Sequence, residues 1–494
     1  NFIKIFFFFY FLFHLLSICM FLFSIFISVC FGEVFEFDFE FHDLIEGEAN
    51  VGGADTVNYS SESQKIVVST SADGLTYTVV KNSGGTDILK TIEEIWGSNF
   101  DDNDVNTLED TFVGGSLADT FKAGAGDDKL TGAGGNDSLY GDSGNDSFVV
   151  SGASDGADVI NGGSGSDTID YSAITDGDTN GATGGINVTL NSGSTVVVTV
   201  ASGDNDSILN VENIIGSANN DILNGDSQSN TLKGGAGNDY LDGQVGDNDW
   251  AAFSDAKTTG ITVNLGDNTQ QVIGGGLGSD TLVNIENVKG SVRDDVLKGS
   301  NNVSNTFFGN EGTETNGDTV DYSALNGNGD KIIADLSAST KTVVITVNGG
   351  GKPTDYLIDI ENVIGTSGDD TFTGNDDKNT FTGNGGLDTV SYGYLASGNG
   401  VVIDLETDSG SVVGSGVSDT LISIENVIGS INNDTIKMTD AIDTVNIIDG
   451  GAGIDTVYIT DRANKTDLKV ANFNKTFSIS HVAARQELRS FLEA

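Results

Sequence analysis

A nine-residue pattern, Gly-x-x-Gly-x-Asp-x-apolar-x, recurs along this chain and restricts its fold more than any other feature. "GGAGNDYLD" (Gly234–Asp242) is a clear copy. The longest run extends from Val105 to Val149 and includes "GAGGNDSLY" and "GDSGNDSFV". After a short insertion come "ASDGADVIN" and "GGSGSDTID", and later groups occupy Gly216–Ala251, Gly290–Asp321, Gly365–Ser391 and Gly429–Tyr458. Each copy encodes a turn and a very short strand. Glycine allows positive φ and close backbone approach, and the x-apolar-x triplet turns one side chain inward by the period-two rule. Two copies make one coil with two turns. Coils stack about 4.8 Å apart, each touching only its neighbours. The eighth positions are the candidate core: Phe112, Phe121, Leu130, Leu139, Phe148, Leu223, Leu232, Leu241, Phe372, Phe381 and Val390.

The nonapeptides sit inside larger units. One phrase recurs as "DTVNYS" (Asp55), "DTIDYS" (Asp167), "DWAAFS" (Asp249), "DTVDYS" (Asp318), "DTVSYG" (Asp388) and "DTVYIT" (Asp455). A second recurs as "IEEIWGS" (Ile92), "VENIIGS" (Val211), "IENVKGS" (Ile285), "IENVIGT" (Ile360) and "IENVIGS" (Ile424). Between them lies a strand-like element: "KIVVST" (Lys65), "INVTL" (Ile186), "ITVNL" (Ile261), "IIADL" (Ile332) and "VVIDL" (Val401). These landmarks divide the body into a β cap with a first degenerate unit (33–104), a nonapeptide block (105–170) and four further units (171–251, 252–321, 322–391 and 392–458).

The ends differ in composition. Residues 1–32 form an apolar, Phe-rich signal- or anchor-like segment, or upstream sequence translated in error. "EFDFEFHD" (Glu36–Asp43) has strand alternation. Residues 459–494 form a tail in which Ser480–Ala494 reads as a short helix.

Charge decides what the repeats can bind. Asp plus Glu number 73 against 22 Lys plus Arg, a net charge of −51. Such a chain repels itself and repels nucleic acid. It is either disordered or neutralised by cations, and the apolar residues at fixed offsets favour the second. The two cysteines, Cys19 and Cys30, lie in the apolar N-terminus, so neither disulfides nor thiolates hold the body. The histidines, His14, His42 and His481, are too scattered for a zinc site or a nucleophile–base pair.

Calcium takes six to eight oxygen ligands and mixes carboxylates with backbone carbonyls. Glycine turns expose carbonyls and the sixth-position aspartates add charge. The candidate ligands are therefore Asp110, Asp119, Asp128, Asp137, Asp146, Asp158, Asp167, Asp221, Asp239, Asp295, Asp318, Asp370, Asp388, Asp434 and Asp455. Carbonyls near Gly132, Gly135, Gly141, Gly144, Gly162, Gly165, Gly234, Gly237, Gly450 and Gly453 complete the set. Magnesium, which demands tight octahedral geometry and keeps its waters, fits less well.

With these motifs the chain resembles the RTX, or haemolysin-type calcium-binding, repeat family, over about residues 50 to 458. The resemblance implies an all-β fold, a right-handed parallel β-roll or β-solenoid. It also implies calcium-driven folding outside the cell after type I secretion, and ions shared between alternate motifs. Carried over, the shared pairs are Asp110 with Asp128, Asp119 with Asp137, Asp128 with Asp146, Asp221 with Asp239, and Asp370 with Asp388. The middle motif of three later units departs from the pattern, with Asn230, Asn305 and Asn379 at position six. Alternate motifs share a side, so these units are expected to bind calcium on one side and to tie the opposite turns with Asn amides. "MTDAIDTVN" keeps Asp443 but lacks both glycines.

Adjacent acids such as Asp127–Asp128, Asp294–Asp295 and Asp369–Asp370 could form a glycosidase dyad. Their place in every turn favours ligation or turn structure. A uronate lyase or epimerase needs a base beside cations, and Arg293 is the only arginine before Arg462. "DDNDVNTLED" (Asp101) lacks the sixth-position Gly and the twelfth-position Glu of an EF-hand. The expected function is therefore a non-enzymatic calcium-binding structural or adhesion module, extracellular or at the cell surface. Its partners are calcium ions together with surface glycans or proteins, with no nucleic acid, and a membrane only if residues 2–31 are a true anchor. The alternative is a solenoid that carries, or serves, a polysaccharide lyase or epimerase.

Overall fold

The computed structural model describes residues 42–479 apart from short gaps, the longest at 47–55, 99–109, 175–184, 199–204, 440–446 and 461–468. The apolar N-terminus, Glu36–Glu40, Asp443 and Ser480–Ala494 fall outside the described residues. Among the described residues no helix is long and apolar enough to cross a membrane.

The fold is a parallel β-roll with two walls. Strands of three to six residues alternate between the walls, and tandem coils pair with an offset of 18 residues, or 21 where the chain carries a short insertion. In one wall Thr111–Val113, Lys129–Thr131, Ser147–Val149 and Thr168–Asp170 form a parallel ladder. In the other, Thr120–Ala125, Ser138–Ser143 and Val159–Ser164 do the same. The registers Phe112↔Leu130 and Phe121↔Leu139 stack the eighth positions. All the candidate core side chains are buried. The rings of Phe112 and Phe121 lie 5.3 Å apart, and those of Phe372 and Phe381 5.2 Å. Burying each large apolar side chain stabilises by roughly 2 kcal/mol, yet a single file of them makes a narrow core.

The element between the two landmark phrases opens a three-strand antiparallel meander spliced into a wall, a connection the sequence pattern did not disclose. Lys331–Asp335 runs antiparallel to Lys341–Val347, which runs antiparallel to Asp355–Ile358. The last of these continues the ladder from Thr306–Phe308, and the first begins the ladder to Thr371–Thr373. Val402–Leu405, Ser409–Gly414 and Val417–Ile422 repeat the device between Thr380–Thr382 and Thr435–Thr439. Ile66–Thr70, Thr76–Lys81 and Thr86–Lys90 form the earliest copy.

The meanders of the later units add a half-coil and so change sides, whereas the six half-coils from Asp221 to Asp295 leave the side unchanged. From Asp295 the half-coils begin at Asp295, Asn305, Asp318, Asp355 and Glu361, an odd number. The strands after Asp295 and Asp318 therefore share one wall, those after Asp370 and Asp388 share the other, and those after Asp434 and Asp455 return to the first.

A buried tyrosine pins the meander. The Tyr of each "DTxxY" phrase donates its hydroxyl to an aspartate in the first three residues of the strand that leads into the next "IENVIGS"-type phrase: Tyr59 to Asp87 at 3.0 Å, Tyr171 to Asp206 at 3.2 Å, Tyr322 to Asp355 at 2.9 Å and Tyr392 to Asp419 at 2.8 Å. In "DWAAFS" the ring is Phe253. Its backbone N donates to the Lys289 carbonyl just as Tyr322 N donates to Ile364. Asp280, the counterpart of Asp355, is buried, and no donor reaches its Oδ2. A buried acceptor left without a donor costs about 1–3 kcal/mol. Tyr392→Phe is therefore expected to destabilise the calcium-loaded protein by about 1–3 kcal/mol, and Phe253→Tyr to stabilise it by about 1 kcal/mol. Urea unfolding of each variant in calcium measures both.

Candidate metal centre

Each position-six aspartate uses its two oxygens differently. In Asp110, Asp221, Asp295, Asp370 and Asp434, Oδ1 accepts the backbone N–H of Ile66, Ile186, Ile261, Ile332 and Val401; in the others, Asp119 apart, it accepts that of the position-six residue one coil earlier. Asp110 N donates to Asp128, Asp119 N to Asp137, Asp128 N to Asp146, Asp221 N to Asp239, Asp295 N to Asp318, Asp370 N to Asp388 and Asp434 N to Asp455, at 2.7–3.0 Å. All five pairs anticipated from the sequence are thus brought together. The remaining ligand candidates lie on the same lines: Asp137 N donates to Asp158, Asp146 N to Asp167 and Asp158 N to Asp206. Position five stitches the same turns in the opposite sense. Asn145 N donates to Asp127, Leu387 N to Asp369 and Thr315 N to Asp294. The first member of each adjacent acid pair is therefore a turn brace, a role the sequence left as one of two readings.

Oδ2 separates the aspartates into two classes. In the class that follows the "IENVIGS" phrase, a serine or threonine caps it. Ser217 N donates to Asp221 Oδ2 at 2.6 Å and its hydroxyl to Oδ1 at 2.8 Å. Ser98 caps Asp110, Ser291 caps Asp295, Thr366 caps Asp370 and Ser430 caps Asp434 in the same way. Asp119 is capped by Gly115 N and the Tyr77 hydroxyl. In the second class, Asp137, Asp146, Asp167, Asp239, Asp318 and Asp388, no donor among the described residues reaches Oδ2 although each residue is buried.

The glycine at position one leaves Oδ2 the space a methyl group would take, beside capped and uncapped aspartates alike. A methyl group built on Gly132, Gly141, Gly162, Gly234 or Gly450 would collide with the Oδ2 of Asp137, Asp146, Asp167, Asp239 or Asp455. Backbone carbonyls converge there too. The Gly162 carbonyl comes beside Gly141 and Asp146, and the carbonyls of Asn210, Asp359 and Ser423 come beside Asp167, Asp318 and Asp388. The carbonyls of Gly132, Gly234 and Gly450 face the capped Asp119, Asp221 and Asp434. Those of Gly135, Gly144 and Gly237 instead point along the turn at the glycine of the next coil. Gly237 and Gly453 hold positive φ, of 145° and 112°, which only glycine adopts readily. Gly165 also has positive φ and packs on the Gly144 carbonyl.

Burial, with neighbouring carboxylates adding to it, pushes Asp137, Asp239, Asp318 and Asp388 up to about 8 and Asp146 and Asp167 up to about 7. Asp221 and Asp370 rise only to about 6, since burial is offset by the backbone N–H of Ile186 or Ile332 and then by the Ser217 or Thr366 donors. A buried carboxylate oxygen with no donor, beside carbonyl oxygens and a glycine-lined gap, is a partial oxygen shell of the kind a hard cation completes. The donor set therefore fits calcium.

Four glutamates escaped the sequence reading. Glu212, Glu286, Glu361 and Glu425, from the "xEN" phrase, stand in for the aspartate of the next coil. Their Oε2 atoms accept the backbone N–H of Asp167, Asp249, Asp318 and Asp388 at 2.7–3.0 Å. Their recurrence in the phrase was the available signal. The following Asn213, Asn287 and Asn362 accept the N–H of Thr231, Thr306 and Thr380. Asn230, Asn305 and Asn379 donate through Nδ2 to the carbonyls of Glu212, Glu286 and Glu361 at 2.8–3.0 Å. The amides thus tie the turns across the roll from the uncapped aspartates Asp239, Asp318 and Asp388, the arrangement expected of these Asn residues.

Four segments, residues 113–148, 153–173, 215–249 and 359–393, match the RTX calcium-binding nonapeptide repeat. No curated protein matches the chain. Among solved structures, an extracellular lipase, LipA from Serratia marcescens, aligns at 16% identity over 68% of this chain and 43% of its own, with a TM-score of 0.12. The chain thus spans under half of that lipase.

Two outcomes follow from the uncapped carboxylates. In chelator, their raised pKa values favour the folded state at low pH, where folded and unfolded forms are both protonated. This stability is lost as pH rises from about 4, the unfolded value, through about 8. Denaturant midpoints of the metal-free chain should therefore fall between pH 5 and 8, whereas calcium affinity should rise over the same range. Gly234→Ala should weaken calcium binding at its site by roughly tenfold or more, because the added methyl occupies the gap beside Asp239. Calorimetric titration against the parent chain tests it.

Proposed function

We propose that this chain of RTX calcium-binding nonapeptide repeats is a calcium-triggered structural solenoid that works outside the cell, secreted or at the surface. The observation that carries the reading is the recurrence of a fully buried, donor-less carboxylate oxygen at the same place in successive units: Asp137, Asp146, Asp167, Asp239, Asp318 and Asp388. Together with a net charge of −51, these groups oppose folding while they are ionised and unneutralised. Extracellular modules bind calcium at about 10⁻⁴ to 10⁻³ M, far above cytosolic levels. A chain with such sites stays unfolded inside the cell and threads through a type I exporter, and it folds where calcium is plentiful. Binding energy becomes folding energy. The uncapped aspartates and the carbonyls beside them hold the ions, and the capped aspartates, Asp110, Asp221, Asp295, Asp370 and Asp434, act first as turn stitches. The folded product is a stiff acidic scaffold for adhesion, whose partners are surface glycans or proteins. The role is non-enzymatic: the adjacent acids are engaged with backbone N–H groups rather than poised as a catalytic pair.

Far-UV circular dichroism of the chain during a calcium titration, with magnesium as control, decides the matter. A cooperative gain of β signal with calcium alone is expected. A β spectrum of full strength in chelator at pH 8 would overturn the trigger and leave the buried carboxylates to be explained otherwise.

A further inference from the structure

Units close with an aspartate held under a glutamate, and in one of these couples, Asp318–Glu361, the chain before the aspartate carries an inserted acid. Asp167–Glu212 and Asp388–Glu425 follow a glycine five residues before the aspartate, at Gly162 and Gly383. In the third unit the glycine is Gly309, nine residues before Asp318, and the extra chain carries Glu314. The inserted loop is anchored. Asp294 accepts Thr315 N at 2.7 Å and Asn316 Nδ2 at 3.1 Å, and Asn362 Nδ2 donates to the Asn316 carbonyl at 2.9 Å. Gly317 has φ +81°, and a side chain there would press on the Glu361 carboxylate.

The result is that carboxylate oxygens of Glu314, Asp318 and Glu361 lie within 4.8 Å of one another, the one such triad among the described residues. An independent observation points to a ligand. Asp318 has no exposed surface, its Oδ1 is occupied by Asp295 N, and no donor among the described residues reaches its Oδ2. A methyl on Gly309 would collide with that oxygen and with the Asp359 carbonyl, so a backbone oxygen shares the space. Burial pushes Asp318 up to about 8, with Asp295, Glu314 and Glu361 adding to the effect, so the three acids repel one another until a cation joins them.

We propose that Glu314, Asp318 and Glu361, with the Asp359 carbonyl, form a three-carboxylate calcium site that fills before the other turns. It rests on the calcium reading above and deepens it by ranking the sites. Glu314 and Glu361 lie outside the nonapeptide's sixth position, so the site owes its strength to the insertion. Calcium affinity rises with the number of charged ligands and the rigidity of the site, and this one brings three carboxylates to an anchored loop. Filling it first ties the inserted loop to the "IEN" turn and fixes one coil, onto which neighbouring coils stack.

The test is a calcium titration of the full chain against a chromophoric chelator at constant pH and salt. The parent chain should show one site tighter than the rest. Glu314→Gln should weaken that site by tenfold or more while leaving the number of weaker sites unchanged. Glu425→Gln, which alters an Asp–Glu couple with no inserted acid, should leave the tightest site intact. If Glu314→Gln keeps the tightest class, or Glu425→Gln removes it, the proposal is overturned. If Glu314→Gln fails to regain the β spectrum at saturating calcium, Glu314→Asp decides: its shorter arm should weaken the same site, and an unchanged tightest class overturns the assignment. A parent chain that takes up no calcium would refute the calcium reading itself, an outcome distinct from a parent that binds but has no class sensitive to Glu314.

Discussion

The roll depends on a carboxylate that serves two masters. Its Oδ1 must accept a backbone N–H from the coil before it, because a buried amide without an acceptor is costly. The carboxylate is thereby drawn into the interior, where its second oxygen loses water. Every other feature of the unit can be read as a way of answering for that oxygen. Ser217 or Thr366 answers with a main-chain N–H and a hydroxyl. Asn230 removes the charge and turns an amide toward a carbonyl. At Asp239 and Asp388 neither solution is used, and the gap beside the glycine remains. A domain with a broad hydrophobic core could absorb several such charges. A core one side chain wide cannot, so the stability of this fold is bound to its electrostatics.

This order within the unit has a logic. The capped aspartate comes first, directly after the "IENVIGS" strand, and needs no ion to hold its turn. The asparagine on the opposite side needs none either. The uncapped aspartate comes one coil later on the capped side. Each unit thus contains parts that close by hydrogen bonds alone, alternating with a part that awaits a cation. Local pairing of this kind keeps contacts short in sequence, between coils about 18 residues apart, and favours propagation from coil to coil.

Much of this was legible in the sequence, because a solenoid repeats its physics. The inward residues Phe112 to Val390 could be assigned from the eighth position alone, and the side-by-side aspartates from a period of two motifs. The Asn amides were legible for the same reason. The meanders were not: "IIADL" announces a strand, but nothing local tells Lys331–Asp335 to pair ahead with Thr371–Thr373 while Asp355–Ile358 pairs back. The buried Tyr322–Asp355 bond, between residues 33 apart in sequence, holds that pairing once made. The caps were missed because Ser217 and Asp221 look like ordinary turn residues until the backbone N–H is aimed. The glutamates were missed because they lie in the "IENVIGS" landmark phrase, outside the nonapeptide's sixth position. The extra methylene of glutamate lets Glu361 reach the N–H of Asp318 from a strand where the glycine turn is absent.

From Asp295 onward, the odd number of half-coils between successive units carries a mechanical corollary. Because Asp318, Asp388 and Asp455 fall on alternating walls, any swelling that ion loss causes along one edge is opposed by the next unit on the other. Two neighbouring units flex in contrary senses, and their curvatures cancel. A row of sites along a single edge would bow the filament as calcium fluctuates, whereas this zigzag lets its tension change while its direction holds.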